Sequence, residues 1–418
     1  MPSADRLALA EHVAGLPLLD NHCHGVLQRT PTPARFSMLI NEGGNPPASG
    51  TSRWAAPVGL AVRHHCAPLL DLEPFAAPEA YLERRAALGA DEVNRRLLRA
   101  CGTSGLLLDT GYRSEEIADP SAMAGLVGVP TWEIVRLEAV AEEVVQRGVS
   151  AEAYPSAFAE ALAARIAGPD GLSGAGGSGD PNGASSGVRV VGLKSVLAYR
   201  GGFGVDPSPP DERAVVAAAG RWLREIEEGR RAASASTDGQ PTVRLTDPVL
   251  LRYGIWAGAE IGRSHRLPLQ FHVGYGDPDL TLHQTNPSLL TELLRRLGAA
   301  GVQVVLLHCW PYHREAAYLS DMFPHVYFDL GLALTFAGAS AGRIVAEAME
   351  VAPFTKQLYS SDGFGAAELH YLGARHFRDG LTRVLTGWLD DGACSLPDAL
   401  RIATMVGSEN ARRVYPLG

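Results

Sequence analysis

Eight short, almost continuously apolar runs recur along this 418-residue chain, each followed by a polar or glycine-containing turn and then by a helical pattern. Strands that helices cover on both faces have this composition, and the alternation of strand and helix indicates βα units with a parallel sheet. We place the strands at residues 16–20, 105–109, 133–138, 189–199, 268–273, 302–308, 326–330 and 357–362.

Eight βα units are the number that closes a (β/α)8 barrel of the TIM-barrel α/β class. Periodicity alone cannot distinguish this barrel from an open doubly wound sheet, so the prediction also depends on the strand ends. Polar or ionisable residues gather there, and barrel enzymes build their active sites on that face. They are Asp20 with His22 and His24, Asp109, Glu138, His272, His308, Asp329 and Asp362. We therefore expect a single barrel domain over residues 1–418.

Two segments are too long or too rich in glycine and serine to be ordinary connections between a strand and a helix of such a barrel. Residues 28–104 separate the first two strands, and their second half, residues 78–102, has helical spacing. We expect this half to form a small helical cap over the barrel mouth that shapes the substrate pocket. Residues 168–187 are rich in glycine and serine. Such a tract cannot bury enough apolar surface to offset its ordering entropy, which predicts a flexible loop.

Composition excludes several classes of function. The formal net charge is −9 and the arginines are scattered, which argues against a nucleic-acid partner. No segment reaches membrane-spanning length and the N-terminus has no secretory pattern, so we expect a cytoplasmic protein that acts on a small molecule. The five cysteines are widely spaced and odd in number, which is typical of reduced thiols. A homo-oligomer is left open.

The strongest chemical signal is the segment LLDNHCHG at the end of the first strand, where His22 and His24 flank Cys23. Side chains two apart on a strand share a face, so both imidazoles can face one metal ion while Cys23 points away. Two ordinary loop histidines would give the same pattern. The pair alone is therefore moderate evidence for a metal site.

Three later strand ends complete the pattern. His272 in QFHVGYGD and His308 in VVLLHCWPY each follow an apolar run in which a buried imidazole needs a polar partner. Asp362 in YSSDG follows the eighth strand, where a carboxylate can coordinate a metal and accept a proton from bound water. We predict a divalent metal site, with zinc as the expected ion, made by His22, His24, His272 and Asp362. Asp362 and His308 are the predicted catalytic residues.

Four further residues are candidates for substrate binding. Arg200 can clamp a carboxylate through its planar guanidinium group, although a structural ion pair is an equal alternative. Glu138 could bind a substrate amine, and Asp277 could orient His272. Tyr199 could donate a hydrogen bond to a developing oxyanion.

Taken together, these residues resemble the pattern of the amidohydrolase superfamily, specifically amidohydrolase family 2. Similarity to the amidohydrolase domain that FluG-type proteins join to glutamine synthetase-like domains is carried by GLKSVLAYRGG, PLQFHVGYGDPDLTLHQTNP, VLLHCWPYHREAAYLSDMFPHVYFDLGL and LYSSDGFGAAELHYL. The resemblance covers essentially the whole chain. It implies a (β/α)8 barrel that binds one or two divalent metals, usually zinc. Many superfamily members bridge two metals with a carboxylated lysine, so Lys194 in GLKSV is a candidate ligand, and an ion-paired lysine is the alternative.

The resemblance implies hydrolysis of an amide or ester bond. We expect a carbon–nitrogen bond other than a peptide bond, in a small carboxylate-bearing substrate such as a γ-glutamyl or N-acyl amide. Asp362 would accept the proton of the attacking water, and His308 or the metal would stabilise the oxyanion. A metal-dependent decarboxylase, a uronate-isomerase-like enzyme and a non-catalytic ligand-sensing barrel are alternatives that the ligands alone do not exclude.

Overall fold

The computed structural model describes residues 4–171, 188–234 and 243–418, and its centre is an all-parallel sheet of seven strands. The strands pair with their neighbours in chain order, as successive βα units of a barrel do. Their bounds are β1 (Leu18–Cys23), β2 (Thr103–Asp109), β3 (Thr131–Arg136), β4 (Val190–Ser195), β5 (Leu269–His272), β6 (Val304–Leu307) and β7 (Val326–Phe328).

Helices precede, connect and follow the strands. They are α1 (Ala4–Ala14), α2 (Pro33–Leu39), α3 (Pro57–Ala61), α4 (Pro78–Leu88), α5 (Ala90–Ala100), α6 (Pro120–Val127), α7 (Leu137–Gln146), α8 (Tyr154–Gly171), α9 (Glu212–Ser234), α10 (Pro248–Ser264), α11 (Thr291–Ala299), α12 (His313–Met322), α13 (Gly331–Ala337), α14 (Ala341–Ala348), α15 (Ala367–Asp390), α16 (Leu396–Thr404) and α17 (Asn410–Val414). No helix in these described ranges is long and apolar enough to cross a membrane.

The eighth predicted strand, residues 357–362, is not a regular strand, but it lies between β7 and β1. The N–H of Leu358 donates to the carbonyl of Phe328 (2.9 Å), and the N–H of Asn21 donates to the carbonyl of Tyr359 (3.0 Å). These bonds link the two edge strands, so the sheet curls on itself. The fold is TIM-barrel-like, with seven regular strands and an irregular segment in the eighth place.

The irregularity has a local cause at Ser361. Its N–H donates to the Asp20 carboxylate (3.0 Å), and so does its hydroxyl (2.5 Å). A side-chain acceptor thus takes the N–H that a regular ladder would pair with a backbone carbonyl. The segment is held to β1 without becoming part of its ladder.

Inward-facing residues show how far the sheet curls. One buried apolar cluster contains residues of β1, β2, β3, β4, β6 and β7 together with Leu358 of the eighth segment. Residues of α17 and the following Tyr415 belong to the same cluster. In an open sheet, the first and last strands are too far apart to contribute side chains to one cluster. The side chains on the inside of this sheet therefore form a barrel-like core.

The long segment between β1 and β2 contains α2 to α5, but its parts differ from the expected cap. Arg85 of α4 forms a buried ion pair with Glu368 of α15 (2.8 Å), so this helix packs beside α15. The cavity at the strand ends is lined instead by residues 35–45 of the first half. The first half of the segment therefore shapes the pocket, and the helical second half supports it from the side.

Two further sequence predictions concern the cysteines and the glycine-rich loop. All five cysteines are free, and four are buried. The predicted flexible loop lies outside the described residues from residue 172 to residue 187.

Candidate active site

Asp362 lies at the centre of three histidines where the strands end. Its Oδ1 atom is 3.4 Å from Nε2 of His22 and 3.6 Å from Nε2 of His24, and its Oδ2 atom is 3.5 Å from Nε2 of His308. These separations are longer than an ordinary hydrogen bond. They match the roughly 3.4 Å expected between two ligand atoms that each lie about 2.1 Å from a tetrahedral zinc-like ion. Asp362 is therefore spaced from each imidazole as one ligand of an ion is from another. The ligand atoms of His22, His308 and Asp362 all lie within 4.8 Å of one another, and His24 forms a second such group with His22 and Asp109.

Unpartnered atoms in this group support the same conclusion. His308 is completely buried, yet neither ring nitrogen has a hydrogen-bond partner within the described ranges, and Oδ1 of Asp362 also has none. A buried polar atom without a partner costs about 1–3 kcal/mol. Because imidazole nitrogens and carboxylate oxygens are preferred ligands of zinc and similar ions, a divalent cation fits this group.

The histidines of the first strand are oriented by oxygen atoms behind them. Nδ1 of His22 lies 2.9 Å from Oε1 of Gln270, and Nδ1 of His24 lies 3.1 Å from the carbonyl oxygen of Asp109. Because these oxygens accept hydrogen bonds, each Nδ1 donates and each Nε2 keeps its lone pair toward Asp362. The Cys23 side chain belongs to a separate apolar cluster, as the strand alternation predicts.

The charge states of the group suit metal binding. Burial holds the pKa of His308 well below its usual range, and burial also lowers the pKa of His24 to about 4. Burial opposes ionisation of Asp362, but His308, His22 and His24 together lower its pKa well below the usual range. At neutral pH His24 and His308 are thus neutral imidazoles beside an ionised carboxylate.

His272, the fourth predicted ligand, lies beside this group. Its ring centre is 4.7 Å from that of His308, but its Nε2 atom lies 3.0 Å from the carbonyl oxygen of Tyr275. No group of three close metal-ligand atoms in the described part of the chain includes it. Of the four predicted ligands, His22 and Asp362 share one such group with His308, and His24 lies 3.6 Å from Asp362.

Lys194 reaches the same group from β4. Its Nζ atom is 2.9 Å from Nε2 of His22 and 3.9 Å from Oδ2 of Asp109, and the side chain is buried. Burial lowers the pKa of the Lys194 amine, although Asp109 and Asp362 oppose this. The amine is therefore placed both for an ion pair with Asp109 and for a role among the metal ligands.

A cavity of about 550 Å³ opens next to Asp362 and His24. Three of the predicted substrate-binding residues line it, namely Arg200, Tyr199 and Asp277. Glu138, the fourth, is not among the lining residues. Its Oε1 atom accepts hydrogen bonds from the Ser195 hydroxyl (2.7 Å) and the Val196 N–H (3.0 Å), so Glu138 secures the turn after β4.

Arg200 has unused hydrogen-bonding capacity. Its Nη2 atom donates to Oε1 of Glu142 (3.0 Å), whereas Nε and Nη1 are buried without a partner in the ranges that the structure describes. The structural ion pair and the free donors thus coexist on one side chain. The Tyr199 ring lies beside the His272 ring, with centres 4.5 Å apart and the planes tilted by 50°. The carbonyl of Tyr275, and not Asp277, holds the His272 ring.

Three residues of the site were given no role in the reaction by the sequence analysis. Asp109 accepts two hydrogen bonds from Arg136 (2.6 and 3.1 Å) and supports His24 through its carbonyl. Gln270 orients His22, and Glu42 lines the cavity. Asp109 is a strand-end carboxylate and Gln270 interrupts an apolar run, so both carried a sequence signal, whereas Glu42 carried none.

A curled parallel sheet with three histidines and a carboxylate near one another at its strand ends is typical of metal-dependent enzymes with a TIM-barrel-like fold, a class that includes metal-dependent hydrolases. The chain belongs to the amidohydrolase family, because the family model described as amidohydrolase matches residues 151–417.

One curated relative is Protein fluG of Emericella nidulans, which is 29% identical over 427 residues, an alignment that covers 96% of this chain and 46% of that protein. The chain thus spans about half the length of this relative.

Two solved structures show the relationship in three dimensions. A protein of Lactobacillus casei ATCC 334, provisionally described as a metal-dependent hydrolase, has a TM-score of 0.78 and 27% identity, over 97% of this chain and 96% of that one. A uronate isomerase of Bacillus halodurans C-125 has a TM-score of 0.63 and 13% identity, over 99% of this chain and 97% of that one. The second likeness shows the fold alone.

Proposed function

We propose that the protein uses a divalent metal, with zinc as the expected ion, to hydrolyse a carbon–nitrogen bond outside peptides in a small carboxylate-bearing amide. The observation that carries the proposal is the proximity of His22, His24 and His308 to Asp362, with His308 and Oδ1 of Asp362 buried without a partner in the described residues. Asp362 and His24 line the cavity. His272 and Lys194 border this group and are candidate ligands of a second ion.

The residues of the site have separate roles in the proposed reaction. A metal held by this group would polarise the substrate carbonyl and lower the pKa of a bound water toward neutrality. Asp362 is ionised, so it can accept the proton of the attacking water and later pass it to the leaving amine. Burial raises the pKa of Tyr199 well above its usual range, so its hydroxyl stays protonated and can donate to the oxyanion. We assign His308, predicted as a catalytic residue, to metal binding.

Arg200 provides the link to a carboxylate. Its Nε and Nη1 atoms are buried at the cavity wall without a partner, and an anionic substrate group would supply the acceptors that they lack. Burial lowers the pKa of Arg200, and the negative charge of Glu142 raises it by less. The Glu142 carboxylate therefore does not fully offset the cost of burying the guanidinium charge.

Metal analysis followed by a substrate screen tests the proposal. We expect one or two tightly bound divalent ions per chain, and release of amine from N-acyl or γ-glutamyl amides with incorporation of one oxygen atom of solvent water. Arg200→Met should raise KM about 10-fold to 100-fold for carboxylate-bearing substrates with a smaller effect on kcat, as expected for a lost charge-assisted contact. Arg252→Met is the matched control, because Arg252 pairs with Asp206 and does not line the cavity. Activity in metal-free protein, or product formed without uptake of water, would contradict the proposal.

A further inference from the structure

Two carboxylates face the cavity without a cationic partner. Glu42 and Asp277 both line it, and neither forms an ion pair within the described residues. Among the residues that the structure describes, the Asp277 carboxylate accepts only the backbone N–H of Asp279 (2.9 Å), and the Glu42 carboxylate forms no hydrogen bond. Unpaired carboxylates at a confined site are costly, which indicates that their partner arrives with a ligand.

The neighbouring cations of the protein are already engaged. Lys194 contacts His22 and Asp109, and Arg244 pairs with Asp279 and donates to the carbonyl of Tyr199 (2.8 Å). Burial raises the pKa of Glu42 well above its usual range, and the charges of Asp362 and Asp277 raise it further. A cation bound beside Glu42 would oppose these effects and favour its ionised carboxylate.

Arg200 presents the opposite charge to the same cavity. Its side chain is nine-tenths buried, and two of its guanidinium nitrogens lack a partner in the described structure. A cavity with unpartnered donors at one residue and unpartnered carboxylates at two others is complementary to a zwitterion that carries a carboxylate and an ammonium group. A free amino-acid head group has this pair of charges.

We propose that the cavity binds the free amino-acid head group of the substrate, with Arg200 on the α-carboxylate and Glu42 and Asp277 on the α-ammonium group. This inference rests on the proposed function, which supplies the hydrolysis of a carbon–nitrogen bond. In a substrate with a free amino-acid head group, that bond is a side-chain amide of the γ-glutamyl or β-aspartyl type. Water adds to the side-chain carbonyl carbon, the C–N bond breaks, and the amine leaves with a proton while the amino diacid remains. An N-acylated amino acid has no ammonium group, so it would leave both carboxylates unpaired.

Product binding tests the amine site without any turnover. Calorimetry on the metal-loaded protein compares glutamate with glutarate, which lacks the amine, and with N-acetylglutamate, in which the amine is neutral. We expect glutamate to bind at least about 10-fold more tightly than either analogue, because one charge-assisted contact differs. Glu42→Gln and Asp277→Asn should each weaken glutamate binding about 10-fold and leave glutarate binding unchanged. Glu115→Gln, at an exposed position outside the cavity, is the control.

A second experiment separates this inference from the proposed function. The γ-glutamyl, glutaryl and N-acetyl-γ-glutamyl anilides have the same scissile bond and differ at the head group, and β-aspartyl anilide shortens the chain. A strong preference for the free-amine substrates that Glu42→Gln removes supports the inference. Equal hydrolysis of all of them, or equal binding of the three diacids, overturns the head-group assignment while the hydrolase stands. Selective glutamate binding without hydrolysis of any amide overturns the hydrolase and leaves the amine site standing.

Discussion

His308 and Asp362 share a backbone conformation that side chains seldom adopt. Their φ angles are 71° and 50°, in the left-handed region, and such residues cost about 1–3 kcal/mol each. Neighbouring groups hold them there, since the N–H of His308 donates to Asp329 (2.6 Å) and the N–H of Asp362 donates to the carbonyl of His22 (3.1 Å). The strain aims both side chains at one point, which is the preorganisation that a metal site needs.

The Asp362→Asn variant tests the proton-transfer role of the carboxylate. The amide keeps one metal-binding oxygen and the size of the side chain, but it cannot accept a proton. We expect metal content and melting temperature to change little while turnover falls roughly 10²-fold to 10⁴-fold. Metal content, melting temperature and kcat should be measured on one preparation, with the exposed Asp321→Asn as control. A variant that keeps most of its turnover with metal bound would remove Asp362 from this role.

At the level of helices and strands, the sequence predicted most of the sheet. Observed strands overlap seven predicted runs, since apolar runs between helical patterns are a strong signal for parallel strands. The eighth run failed as a strand because the Asp20 side chain captures the backbone of Ser361, a long-range contact that has no local signature. Strand ends shifted by a few residues, as in β1, where the predicted run 16–20 ends before His22 and the observed strand includes it.

The site was predictable where its residues follow strands and not where distant chain segments meet. The sequence analysis selected HxH, His272, His308 and Asp362, because polar residues after apolar runs stand out. The closer approach of His308 than of His272 to His22 and Asp362 depends on side-chain directions that sequence spacing does not fix. Glu42 could not be found, because its place in the cavity depends on how residues 35–45 fold over the strand ends.

Arg85 tests how α4 is attached to α15. The ion pair with Glu368 is almost completely buried, and Tyr81 donates to the same carboxylate (2.8 Å). Arg85→Met leaves a buried carboxylate unpaired and should lower the free energy of unfolding by about 3–5 kcal/mol. The neighbouring Arg84 pairs with Asp71 at the surface, so Arg84→Met should cost about 0–1 kcal/mol. Urea unfolding measures both, and equal costs would contradict the buried attachment.

His65, in the short helical turn of residues 62–66, should contribute to acid lability. Burial lowers its pKa from the usual 6.5 to about 4, with further lowering by His64 and His376. Between these two values the unfolded chain binds a proton that the folded chain does not, so this contribution to stability is lost as the pH falls from 6.5 to 4. His65→Gln should therefore reduce the pH dependence of stability in this window by at most about one proton.

Unfolding free energies measured at several pH values between these limits check the prediction. The control is His265→Gln, since His265 is exposed at the end of α10 and is not among the groups that shift the pKa of His65. An unchanged slope in the His65 variant would show that the imidazole is protonated equally in both states.

For the whole molecule, the proposed metal ligands lie where the curled sheet closes between β7 and β1. We call this closure, made by residues 357–362, the seam. His22 and His24 come from β1 and the residue that follows it, His308 follows β6, and Asp362 ends the irregular eighth segment. That segment is held to its neighbours by a few backbone bonds and by Asp20, without a regular ladder. An ion bound there would connect the first and last parts of the sheet, so metal binding should be coupled to closure of the fold.

Removing the metal should therefore loosen the seam before the rest of the molecule. Since the ion binds only the folded group, saturating metal should stabilise the protein by about 2.7 kcal/mol at 100 times its dissociation constant. Hydrogen exchange should rise most, in metal-free protein, at the amides of Asn21, Leu358 and Asp362, which make the bonds across the seam. The amide of Leu269, which bonds the carbonyl of Gln303 (2.9 Å) on the far side of the sheet, is the internal reference. His308→Ala should show the metal-free pattern with or without added zinc. Uniform exchange changes across the sheet would mean that the ion stabilises the molecule without closing this seam.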